Sequence, residues 1–271
     1  MTFPAKETIQ KRKSVRSFDG RPLTAEERGK LESCFQDAAN PFGVPVEFRL
    51  LDVEEYGLSS PVVVGANTYL AAKAPRCKDY EVGFGYSFES VCLYAASIGL
   101  GTVMLAASLN RKAFEHAMEV RDDEVMPVAS PVGHPAAKRS IRESLMRKGL
   151  KADERIAFDR LFFAGTYGQG LRKEDAGAFS GALEMARWAP SATNRQPWRA
   201  VVDGDTVHFF EEQTLKDSPL GDIQKVDLGI ALAHFDLTLR EEGIRGDFVE
   251  ADPGYALPEN VHYITSFERD A

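Results

Sequence analysis

Residues 189–199 read Ala-Pro-Ser-Ala-Thr-Asn-Arg-Gln-Pro-Trp-Arg and lie between an amphipathic helical pattern and a hydrophobic strand pattern. Pro190 stops the helix before it, because the residue preceding a proline is pushed out of the helical region. Ser191, Thr193 and Asn194 carry short polar side chains that bond nearby backbone and favour turns. Pro197 then leads Trp198 into the strand Arg199-Ala-Val-Val. The segment reads as a polar elbow of fixed shape, setting Asn194, Arg195 and Gln196 at the mouth of a hydrophobic wall. Such an elbow suits a flat heteroaromatic ligand, whose faces need an apolar floor and whose edges need amides or hydroxyls. Read alone, the same segment also describes a proline-rich loop with no ligand.

A second polar feature stands near the start of the chain. A short polar helix over residues 5–13 runs into Ser14-Val-Arg-Ser-Phe. If that piece is extended, alternation places Arg12, Ser14 and Arg16 on one side and Lys13, Val15 and Ser17 on the other. Two guanidinium forks and a hydroxyl then converge, which is the outline of a phosphomonoester site. A solvated basic segment has the same composition.

The remaining chain bounds the possibilities. Its 271 residues suffice for one large domain or two small ones, and the formal net charge of -8 argues against a general nucleic-acid or anionic-membrane binder. Cys34, Cys77 and Cys92 are widely spaced, which suggests neither a disulfide framework nor a metal site. No basic-then-apolar leader is present and no run of uncharged apolar residues is long enough to span a bilayer. A cytoplasmic protein is expected. No pair of carboxylates, nucleophile triad or metal cluster stands out, so no catalytic side chain is assigned.

Element by element, Thr24 and Glu27 form a capping box that opens a helix running to about residue 39. Strands are expected over 46–51 and 61–70. The run over 86–98 is a helix apolar on most sides, closed by Gly99 and followed by a strand over 100–105. A helix over 109–119 precedes an apolar strand over 125–135, where Gly133 ends in a turn that lets backbone approach a flat ring. His134 reads as a solvated turn histidine. Beyond it, a helix over 174–188, the elbow, a helix over 226–242 and strands over 247–250 and 260–268 repeat the earlier order. Sliding one half by 152 residues pairs Pro45 with Pro197, and puts Phe42 opposite Asn194.

The elbow resembles the A-P-S-x-x-N-x-Q-P-W signature of the nitroreductase family of FMN flavoproteins at Ala189, Pro190, Ser191, Asn194, Gln196, Pro197 and Trp198. Arg12-x-Ser14-x-Arg16-x-Phe18 resembles the same family's N-terminal flavin phosphate motif, and Tyr80–Thr102 and Val226–Leu237 add to the likeness. The branch most resembled is that of the putative TM nitroreductases. The resemblance implies an α+β nitroreductase-like fold of two pseudo-symmetric halves, residues 1–158 and 159–271, each a mostly antiparallel sheet packed by helices, together one compact pseudo-dimer in a monomeric chain. It further implies FMN, with Arg12, Lys13, Ser14, Arg16 and Arg155 at the phosphate and ribityl chain, Lys138 and Arg139 competing with Arg155. Pro190, Ser191, Ala192 and Asn194 are then the opposite wall of the ring pocket, and the turn Pro131-Val132-Gly133 lies near the flavin N5. The implied activity is hydride transfer in ping-pong order from NAD(P)H by way of N5 to a small electron-poor acceptor, a nitroaromatic or quinone. The alternative is a non-catalytic FMN-binding protein that stores or senses the flavin.

Overall fold

The structure, a computed structural model, describes residues 2–138 and 140–270. Helix α1 (Ala5–Lys11) is followed by an extended run whose backbone bridges Ser14 to Thr102, Ser17 to Val64 and Phe18 to Pro135. Helix α2 (Ala25–Gln36) opens with the expected capping box, the Thr24 hydroxyl accepting from the Glu27 N–H and the Glu27 carboxylate from the Thr24 N–H.

Among the described residues two sheets form. The first contains β1 (Glu47–Asp52), β2 (Thr68–Pro75), β3 (Gly101–Thr102), β4 (Glu124–Val125) and β5 (Ala129–Gly133). Its order is β1-β2-β5-β3 with β4 beside β2, and every pairing is antiparallel. The second contains β6 (Phe162–Ala164), β7 (Trp198–Asp203), β8 (Thr206–Glu212), β9 (Gly246–Val249) and β10 (Val261–Arg269), in the order β6-β7-β8-β10-β9. Only β6 pairs in parallel, along β7. Without β6 and β4, the two sheets have one strand order. Short helices α3 (Val53–Tyr56), α5 (Arg111–Ala117), α6 (Ile141–Gly149) and α7 (Phe158–Leu161) connect the strands, and α8 (Ser180–Arg187) leads to the elbow.

Between the sheets lie two long helices, α4 (Tyr80–Ser97) and α9 (Ile223–Glu241). They cross so closely that a Cβ placed on Gly85 would sit 2.1 Å from the Val226 carbonyl oxygen, and one on Gly229 would sit 2.1 Å from that of Val82. Away from the crossing, each turns most of its apolar side chains to its own core. Phe84, Phe88 and Val91 pack with Leu31, Leu70 and Val128, whereas Leu228, Leu232 and Phe235 pack with Phe179, Phe209 and Phe267. Burying side chains of this size stabilises the fold by about 1.5–3 kcal/mol each.

Several expectations shift: the strand over 100–105 is only β3, Gly101–Thr102, and that over 125–135 is split into β4 and β5. The strand expected over 61–70 starts at Thr68, because Val64 bonds back to the Arg16–Phe18 segment and Gly65, at φ 76°, breaks the extended run. The helix expected over 174–188 is two short 3-10 turns followed by α8, interrupted where Gly177 has φ 54°. Strand β8 is an addition, formed where Gly204 at φ 59° turns β7 back on itself. No helix of the described residues is long and apolar enough to cross a membrane.

Candidate functional site

Two adjoining cavities of about 380 and 320 Å³ share Arg12, Ser14, Arg16, Leu150, Pro190 and Ser191, and so form two lobes of one cleft. The outer lobe is polar, with Lys13, Asp153, Arg155 and Asn194 in its wall. The inner lobe is walled by the Thr102–Ser108 run, Val128, Ala192 and the first turns of α9, with Glu89, Cys92 and Asp227 beneath.

The first wall follows from alternation in the extended run. The Val15 N–H donates to the Thr102 carbonyl at 2.9 Å, and the Val15 side chain lies against Gly101, where a Cβ would approach within 2.8 Å. That fixes Arg12, Ser14 and Arg16 on the cleft side. Lys13 reaches both the outer lobe and a neighbouring groove that holds Lys138, which does not line the cleft. Arg139 lies outside the described residues. Arg12 is rooted below the cleft, its Nε 3.5 Å from Glu89 Oε1, and among the described residues nothing accepts a hydrogen bond from its guanidinium.

The elbow forms the second wall. Thr193, Asn194 and Gln196 have φ of 50°, 58° and 51°, a left-handed conformation that non-glycine residues hold only where the surroundings enforce it. Here they do. The Ser191 hydroxyl accepts from the Gln196 N–H at 2.9 Å, and Gln196 Oε1 accepts from the Ile156 N–H at 2.9 Å. Asn194 Nδ2 donates to the Lys151 and Glu154 carbonyls at 2.9 and 3.1 Å. The Ala192 N–H donates to both carboxyl oxygens of Asp227 at 3.0 and 2.9 Å. Burial pushes the Asp227 carboxyl well above the ordinary carboxylate range, against the opposing Ala192 bond and with the charge of Asp222 adding to the rise.

These bonds redefine two expected contacts. The Asn194 amide lies in the wall, but its N–H groups strap down residues 151–154 instead of pointing at a ligand. Arg155 donates to the carbonyls of Ala152, Glu154 and Trp188 and lies 5.7 Å over the Trp188 ring. It stiffens the outer lobe, with those donors already engaged by the protein.

Pro131, Val132 and Gly133 are not brought to the cleft. They are buried within β5, opposite Tyr69, Thr68 and Gly101 respectively, and a Cβ on Gly133 would meet the Phe18 ring at 3.4 Å. The backbone that does reach the inner lobe is one strand further on. After the Leu105 N–H donates to the Ala129 carbonyl at 2.8 Å, the N–H groups of Ala106, Ala107 and Ser108 make no hydrogen bond among the described residues. Nothing in Ala-Ala-Ser marks this in the sequence beyond small side chains that allow close approach. Glu89, Asp227 and His234 went unassigned from the sequence; the signal available was an ionisable residue among apolar helix positions, where such a group is rarely buried without a partner. Cys92 also lines the lobe, and burial pushes its thiol well above the usual range.

Comparison with known proteins agrees with this architecture. A crystal structure of a putative nitroreductase from Thermotoga maritima shares the fold over 99% of this chain and 94% of its own, at TM-score 0.66 and 21% identity. Structures that match a smaller part include an FMN-dependent nitroreductase from Clostridium difficile, at TM-score 0.42 and 15% identity over 52% of this chain and 94% of that one. A mutant FMN and NADPH-dependent nitroreductase from a Sphigopyxis strain matches at TM-score 0.42 and 14% identity, over 51% of this chain and 91% of that one. No curated protein matches the chain. The family described as Putative TM nitroreductase matches residues 5–239, and the chain belongs to it.

Proposed function

We propose that the cleft binds one FMN and that the protein is an NAD(P)H-dependent oxidoreductase acting on small electron-poor acceptors of the nitroaromatic or quinone type. The observation that carries this reading is the pairing of lobes. A polar lobe walled by Arg12, Lys13, Ser14 and Arg16 opens directly into an apolar lobe bounded by the elbow and by the Ala106–Ser108 backbone. A phosphorylated chain ending in a flat heteroaromatic ring needs that sequence of surroundings. The residues fit the group: Arg12 offers a guanidinium with no acceptor of its own among the described residues, and Ala106–Ser108 offer N–H donors that a ring edge can satisfy.

FMN held there would supply hydride chemistry between NAD(P)H and the acceptor. The protein's part is placement. Arg12 and Arg16 would hold the phosphate and Ser14 the ribityl chain, with Lys13 adding charge at the outer edge. Pro190, Ser191 and Ala192 close the other side, held there by Asp227 and by the Asn194 strap. The inner lobe excludes water through Val103, Val128, Val226 and Ile230. Positioning of this kind supplies much of the rate when the cofactor carries the chemistry.

The same reading takes residues 1–158 and 159–271 as two copies of one unit joined in a single chain that works as a monomer. The common strand order and the reciprocal Gly85 and Gly229 contacts support it. Three free cysteines support a reducing, cytoplasmic setting.

Titration with FMN, followed by visible absorbance, tests the proposal. Arg12→Ala and Arg16→Ala should each weaken binding by about tenfold or more, as expected for lost charge-assisted hydrogen bonds. Adding NADH or NADPH without oxygen should then bleach the bound flavin. Colour that persists with both donors would instead identify a flavin-storing or flavin-sensing protein, and failure to take up FMN would overturn the assignment.

A further inference from the structure

Beneath the cleft, three elements meet at a buried group of charges. Arg12 leaves the end of α1 with its side chain 8% exposed, Glu89 on α4 is 1% exposed, and His234 on α9 is fully buried. Glu89 Oε1 lies 2.8 Å from His234 Nε2 and 3.5 Å from Arg12 Nε. The other ring nitrogen of His234 is 3.0 Å from the Met185 carbonyl oxygen. A carbonyl can only accept, so Nδ1 donates to Met185, and the Nε2 edge of the ring faces Glu89. His234 is thereby fixed at both ends, and Glu89 is fixed by His234.

We infer that Glu89 and His234 are positioning residues, which hold the Arg12 guanidinium so that its Nη groups meet the phosphate of the ligand; this rests on the flavin reading above. An arginine on a two-residue turn between a helix and an extended run has many rotamers, and ordering it on binding costs affinity. Anchoring Nε from below removes that cost and leaves the outer edge of the fork open. The distance supports an anchor by charge, since 3.5 Å is beyond a good hydrogen bond. The arrangement also explains why a carboxylate is tolerated at this depth. Its Oε1 faces a guanidinium and a ring nitrogen, and removing either partner leaves the buried charge with only one.

A role confined to stability predicts equal loss of every ligand. Positioning predicts loss for the phosphorylated ligand alone, so the full-length protein should be titrated with FMN and with riboflavin, which lacks the phosphate. Glu89→Gln, of nearly the same shape, should weaken FMN about tenfold, the size of one charge-assisted contact, and leave riboflavin unchanged. His234→Asn keeps a donor near the Met185 carbonyl but cannot reach Glu89, and should behave alike. His234→Gln reaches Glu89 and should restore most of the FMN affinity. Equal weakening of both flavins, or undiminished FMN binding in Glu89→Gln and His234→Asn, overturns the inference.

A second readout needs no flavin. In the free protein the Arg12 Nε–H should exchange slowly with solvent in the wild type and in His234→Gln, and rapidly in Glu89→Gln and His234→Asn. Unchanged protection in those two variants also refutes the anchor. Should the wild type bind neither flavin, the cofactor assignment fails while the exchange measurement still decides this one.

Discussion

The two elbows are met by different surfaces of their helices. Val82 and Gly85 on α4 stand to α9 as Val226 and Gly229 stand to α4, a constant offset of 144 residues that places Gly83 opposite Asp227. At the second elbow, Asp227 takes the Ala192 N–H and the backbone of 151–156 takes Asn194 and Gln196. The elbow is propped away from the helix, and the cleft lies in the gap. At the first elbow, Asn40 satisfies its neighbours internally, accepting from the Phe42 and Val44 N–H groups and donating to the Val44 carbonyl and the Ser87 hydroxyl. That elbow lies flat on α4, where a Cβ on Gly83 would be 2.6 Å from Val44 Cγ2, and the Phe42 ring packs 5.8 Å from Phe248. One scaffold thus gives a closed core or an open cleft, depending on where the elbow's polar groups find partners.

The shared part of that comparison is the helix crossing, and breaking it should have the largest effect. Gly85→Val and Gly229→Val each force side-chain atoms into a facing backbone carbonyl that cannot move without separating the two cores. Each should cost about 3 kcal/mol, at the upper end for overpacking, and urea unfolding should show similar losses. If one variant were as stable as the wild type while the other unfolded, the crossing would not be reciprocal.

A second contrast lies in the sheets. Glu47 pairs with Lys73 at the start of β1, and Trp198 with Glu211 at the start of β7. Lys73 is neutralised by Glu124 at 3.0 Å, whereas no donor among the described residues reaches either carboxyl oxygen of the buried Glu211. Burial, and next the nearby Asp222, push its carboxyl up to about 8 from 4.5. The native state therefore binds the proton more tightly than the unfolded chain. The stability this contributes is complete below about pH 4.5 and is lost as pH rises through about 8. The slope approaches about 1.4 kcal/mol per pH unit at most. Glu211→Gln should flatten that decline and melt higher than the wild type near pH 8, whereas an unchanged pH profile would mean that Glu211 is ionised and paired.

How much of this was legible in the residues depends on what decides each feature. The capped helix from Thr24, the apolar α4 and the alternation of Arg12, Ser14 and Arg16 follow from local rules, and the structure has them. The inner lobe does not follow locally. Ala106, Ala107 and Ser108 become an edge of the inner lobe only because β3 ends early and β5 takes up the neighbouring backbone, which places Gly133 inside the sheet. Asn194 stands out in the elbow, but the partners of its amide lie some 40 residues upstream, beyond any local pattern. Glu89 and His234 are 145 residues apart, and only the helix crossing makes them neighbours.

The smallest effects should separate the elbows most cleanly. Phe42→Ala removes a half-buried ring that touches Phe248 and both main cores, and should lower stability by about 1–2 kcal/mol, part of the loss for a fully buried phenylalanine. FMN affinity should stay as it was, because the first elbow borders no part of the cleft. Asn194→Ala should show the reverse balance. Two partly exposed hydrogen bonds cost about 1 kcal/mol together when solvent can replace them. Yet they hold the segment that carries Leu150, Asp153 and Arg155 into the outer lobe. FMN binding should fall several-fold with little change in the melting temperature. The decisive comparison is the double variant, whose stability and affinity losses should be additive, as for sites without shared partners. Coupling between them would mean that the two elbows communicate through the crossed helices, and that the closed one helps to hold the other open.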